Sequence, residues 1–94
     1  MATVETRQSI LASVYTDIAD FLVSGPTPEQ IVAFQLSDES ERVIGELLEA
    51  NRTSGLTPAQ RKALDDYTPI ERLMQAVKLR AFAKLNQAQR DVHP

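Results

Sequence analysis

The chain of 94 residues contains no cysteine, which excludes a disulfide framework and any thiolate metal site. Its one histidine, His93, is the penultimate residue, so neither a Ser-His-Asp triad nor a histidine-rich metal centre has the parts it needs. The three glycines, at 25, 45 and 55, stand too far apart to form a phosphate-cradling loop. Uninterrupted apolar runs are short, Ile31 to Phe34 being typical, whereas a membrane-spanning helix needs roughly 20 apolar residues. A basic, apolar N-terminal stretch of the secretory kind is lacking, as is any low-complexity segment. These absences lead us to expect one small cytoplasmic domain that spans no membrane and has no catalytic residue, metal, cofactor or small-molecule substrate.

The sequence is rich in helix punctuation. Thr27-Pro28 is followed by Gln30, Thr57-Pro58 by Gln60, and Thr68-Pro69 by Glu71. In this pattern a hydroxyl caps free amides, the residue at N3 reaches back, and proline at the first helical position loses nothing. Ser37 offers another cap, and Asp38, Glu39 and Glu41 suit the positive end of the helix that follows. Ser24-Gly25-Pro26 is a stop.

Apolar residues recur at helical spacing between these marks. Ile10, Leu11, Val14, Ile18, Phe21 and Leu22 form one stripe, Val43, Ile44, Leu47 and Leu48 a second, and Ile70, Leu73, Met74, Val77, Ala81 and Leu85 a third. The spacing predicts an all-α orthogonal bundle of four or five helices at about 4–23, 28–34, 38–51, 58–67 and 69–88. The break at Thr68 follows from the missing amide and ring clash of Pro69. Leu73, in the middle of the third stripe, is expected in the core against the first and third helices. Residues 31–36 also alternate as a half-buried strand would, leaving helix or strand open there. Residues 1–3 and 89–94 are expected to fray.

Charge is unevenly distributed. Residues 1–60 carry nine acidic and three basic side chains and residues 61–94 four and seven, so the two parts are about −6 and +3. Such ends satisfy each other within one fold or steer a charged partner. Asp65 and Asp66 are adjacent and diverge on a helix, and Glu46 and Glu49 lack the oxygen-rich loop of a cation site. The glycosylation tripeptide Asn51-Arg52-Thr53 carries no meaning in a cytoplasmic protein.

Near the C-terminus Lys78, Arg80, Lys84 and Arg90 flank Leu79 and Phe82, which lie off the third stripe. An apolar arc wider than one buried face implies deep burial or a second contact surface. Lys78, Leu79, Arg80, Phe82 and Lys84 are therefore the candidate interface, toward a protein partner or a second copy. The same basic helix is a candidate for nucleic acid, although binding domains of that kind have pI above about 9, against 5.0 here.

FLVSGPTPEQIVAF, LSDESERVIGELLEANR, GLTPAQRKALDDY and IERLMQAVKLRAFAKL, within residues 17–85, together resemble a family of short helical bacterial proteins of uncharacterised activity, often encoded beside small HNH-type nucleases. The resemblance implies a non-enzymatic helical interaction module, antitoxin-like or accessory to a nuclease. Family members read as one continuous helix where Thr68-Pro69 here marks a break. A second likeness is to dimeric ribbon-helix-helix antitoxins or regulators that bind DNA. There VAFQLSDE would supply the strand and Ile31, Ala33 and Gln35 its outward side chains.

Overall fold

Thr27, Ser37 and Thr57 cap helices as their spacing predicts. In the computed structural model, which describes residues 10–92, the Gln30 amide donates to Thr27 Oγ1 at 3.2 Å and the Thr27 amide to Gln30 Oε1 at 2.9 Å. The same exchange joins Thr57 and Gln60, at 3.1 and 2.9 Å, and Ser37 Oγ accepts from the Ser40 amide at 3.2 Å. Gly25 and Gly55 take positive φ, 68° and 88°, at the turns after the first and third helices. Among the described residues these signals delimit four helices and no strand: α1 (Ala12–Val23), α2 (Pro28–Ala33), α3 (Asp38–Arg52) and α4 (Pro58–Val92). The all-α class is as expected.

The largest departure is in α4. Where two helices meeting at Thr68 were expected, one helix of 35 residues runs through Pro69. Pro69 is exposed, so the carbonyl of Asp65 that loses its amide partner lies on the solvent side, where water satisfies it. Thr68 does not cap. Its hydroxyl donates instead to the Leu64 carbonyl one turn back, at 3.0 Å. Tyr67 before the proline is buried and Ile70 after it is half-buried, so packing on both sides of Pro69 holds a turn that local propensity opposes. The helix also continues past residue 88 to Val92, since no glycine or proline intervenes to stop it.

Smaller corrections concern the other boundaries. The chain leaves regular helix at Leu11 (φ −104°, ψ 11°), and α1 begins at Ala12. On a continuous helix Ile10 and Leu11 would diverge by about 100°, whereas the break lets both pack on the core. The expected helical residues 4–9 lie outside the described residues. Residues 31–33 are helical, and Phe34 begins an extended link that pairs as no strand. Ile31 and Ala33, two of the three outward positions that a DNA-reading ribbon would need, are thus in α2.

Leu11 and Val14, Ile44 and Leu47 of α3, and Ala63 and Tyr67 of α4 form the core, with Ile10, Ile18, Leu36, Leu56 and Leu64 packed around it. Every α4 residue of that cluster precedes Pro69. A 35-residue helix is about 52 Å long, and the molecule measures 59 × 29 × 20 Å, so α4 runs along its long axis. Leu73 is not in the core. It is 64% exposed, because past Pro69 the main element against α4 is α2, and six residues give a helix only about 9 Å long. So short a cover cannot enclose a stripe that extends to Leu85.

Candidate interaction surface on the last helix

The distal part of α4 packs along α2 and is tied to the end of that helix by a hydrogen bond. Lys78 Nζ donates to the carbonyl of Phe34 at 2.7 Å, satisfying an acceptor at the end of α2. Phe34 in turn stacks on Phe21 of α1, with ring centroids 4.3 Å apart and planes inclined by 30°. Ala81 is buried and, with Pro28 and Ile31 of α2, lines one wall of an open groove.

A second latch orients α1 and the start of α3. Asp17 Oδ2 accepts from the Ser37 amide at 2.9 Å, the Ser37 hydroxyl at 2.7 Å and the Ser40 hydroxyl at 2.6 Å. Ser40 is fully buried, and the anion sits at the positive end of α3. The bonds from Ser40, then those from Ser37, hold the Asp17 carboxyl below the ordinary aspartate value against a smaller opposing effect of burial.

The five candidate interface residues do not form one patch. Leu79 is 71% exposed and Phe82 54% exposed. Three residues apart, they share a face of α4. Lys78 is half-buried and committed to Phe34, acting as an anchor instead of a rim charge. Arg80 and Lys84 are exposed but line the groove, where Leu73, Ala76, Val77 and Ala81 are the α4 residues around them. At 100° per residue Phe82 and Leu73 lie about 180° apart. The distal helix therefore carries two apolar surfaces, Leu79 and Phe82 on one side and the groove with its two cations on the other.

The groove surface was read from sequence as part of the core stripe. The signal that separates it is the brevity of α2 between Pro28 and the link into Ser37, which is too short to cover the stripe. Ion pairs formed by other residues, Arg42 with Glu46 at 2.9 Å, Arg52 with Glu49, and Lys62 with Asp66 at 3.0 Å, do not extend to Arg80 or Lys84 among the described residues.

Between the core and the distal helix lies a cleft of about 210 Å³, whose lining includes apolar Ile18, Leu36 and Met74 together with Glu41, Glu71 and Tyr67. Burial first, then the charges of Glu71 and Glu41, push the Tyr67 phenol above its usual value, so it stays neutral. Among the described residues no three His, Cys, Asp or Glu side chains gather as a metal site, and no helix is long and apolar enough to cross a membrane. No family model, curated protein or solved structure matches the chain.

Proposed function

We propose that the chain is a non-enzymatic protein-interaction module that engages a protein partner through Leu79 and Phe82 on the distal half of α4. The observation that carries this is the exposure of the two side chains, 71% and 54%, on a segment anchored from its other side. Large apolar residues at such a position anchor interfaces, where a few buried side chains dominate affinity. From Leu73 to Arg90 the helix has four basic residues and no acidic one, so a partner with an acidic rim would be steered toward it. An antitoxin-like or nuclease-accessory role, which the family resemblance implies, is one form of such engagement.

Replacing both residues, Leu79→Gln with Phe82→Gln, in the full chain tests the proposal. Proteins that co-purify with the parent from its native host should be lost from the double variant, while the helical circular-dichroism signal is kept. Capture of the same proteins by both forms would overturn it.

A further inference from the structure

The groove side of α4 has a property that the Leu79 and Phe82 side lacks. Leu73, Val77, Arg80 and Lys84 line it. Asp66 and Ile70, the latter at the edge of the neighbouring cleft, continue the same helix face two turns and one turn back, at successive spacings of four, three, four, three and four residues, the alternation of a seam between paired helices. One end is acidic, the middle apolar and the other end basic. We infer that this stripe pairs antiparallel with the same stripe of a second copy of the chain, across a two-fold axis passing between Leu73 and Val77. That operation sets Asp66 opposite Lys84, Ile70 opposite Arg80 and Leu73 opposite Val77, so each of the six positions meets its complement. A two-fold contact requires such self-complementarity.

Accessibility and charge agree with this occupant. Leu73 at the axis is 64% exposed, Ile70, Val77 and Asp66 are half-buried, and Arg80 and Lys84 are exposed. Arg80 would lay its aliphatic stem over Ile70 while its head stays in water. On the stripe itself Asp66 carries −1 at one end and Arg80 and Lys84 carry +2 at the other, so antiparallel pairing brings opposite charges together and parallel pairing like ones. Since α2 covers only one wall of the groove, the open side is left for a helix at the usual axial separation of about 8–10 Å. The pairing does not rest on the partner proposed above. It leaves Leu79 and Phe82 of both copies facing outward, making a dimer with two partner sites.

Sedimentation equilibrium of the full chain over a range of concentrations tests it, with circular dichroism of each variant to confirm folding. The parent should form a dimer, and Leu73→Asp, at an exposed position, should leave folded monomer. Asp66→Lys or Lys84→Asp alone should weaken self-association roughly two- to thirtyfold, because the two-fold axis counts each surface ion pair twice. The two together should restore it. Asp66→Lys also removes the ion pair with Lys62, but that loss is common to the single and double variants, so rescue remains interpretable even if Leu73→Asp fails to fold. Leu79→Gln with Phe82→Gln should leave the dimer intact. A parent that stays monomeric, a dimer indifferent to Leu73→Asp, a charge swap that does not rescue, or a dimer lost with Leu79 and Phe82 would each overturn the pairing.

Discussion

The two halves of α4 are one continuous helix supported in different ways. Before Pro69, Ala63 and Tyr67 are buried among side chains from α1 and α3, and helix formation there follows from packing of an amphipathic face, the usual source of helix stability in proteins. After Pro69 support comes from a six-residue helix and the bond from Lys78 to the Phe34 carbonyl. The distal sequence makes up the difference locally, since Ala76, Leu79, Arg80, Ala81, Ala83, Lys84 and Ala88 are strong helix formers. A helix held this way buries Ala81 but has no need to bury every apolar residue it carries. It can therefore present Leu73 on one side and Leu79 and Phe82 on the other while staying folded.

The contrast is sharpest in a pair of identical substitutions. Leu47→Ala, in the core facing the proximal half, should cost roughly 2–5 kcal/mol through lost burial and a cavity. Leu73→Ala, on the distal half, should stay within about 0.5 kcal/mol, as exposed substitutions do, when variant and parent are compared at a concentration low enough for the chain to be monomeric. Urea denaturation of the two variants measures both. Similar midpoints for them would abolish the distinction between the halves.

The latch at Asp17 should rank next. Asp17→Ala removes the acceptor of three hydrogen bonds, one of them from the buried Ser40 hydroxyl, and should cost about 1–3 kcal/mol at neutral pH. Because the folded carboxyl titrates below the unfolded value of about 3.9, its electrostatic contribution is present above that value. It fades as pH falls toward the lowered folded one. The difference between parent and variant should therefore narrow on acidification below about pH 4, and a difference that widened there would contradict the assigned cause.

Lys78→Met should have the smallest and most local effect, about 1 kcal/mol for a partly solvated bond to a carbonyl. Hydrogen exchange should quicken in α2 and the distal part of α4 and leave Ala63 to Tyr67 unchanged. Equal quickening throughout would mean that the halves unfold as one unit.

Helix starts were the most legible part of the sequence, because a capping box is a local device whose donors and acceptors lie within four residues. Both Thr-Gln boxes and the Ser37 cap formed as read. The same logic failed at Thr68-Pro69, where an equally good cap signal was overridden by burial of Tyr67 and Ile70 on either side. The wide apolar arc of Leu79 and Phe82 was legible, but periodicity left deep burial and a second contact surface equally open, and only the fold places the two residues at the surface. Exposure of Leu73 was not legible, since its periodicity matches that of core positions and only the length of the covering helix separates the two cases. Nor does spacing along the chain reveal that Asp17 meets Ser40 or that Lys78 meets Phe34, pairs 23 and 44 residues apart.

The most direct test of the account is the thermal melt of the full chain carrying Leu79→Gln and Phe82→Gln, followed by circular dichroism. In a domain of this size 1 kcal/mol moves the midpoint by roughly 4–8 °C, and two exposed substitutions should change stability by no more than about that amount. A midpoint within about 8 °C of the parent, with full helical signal, is the result expected of a contact surface. A fall well beyond that, or loss of helix at ambient temperature, would show the two residues to be core and contradict the surface.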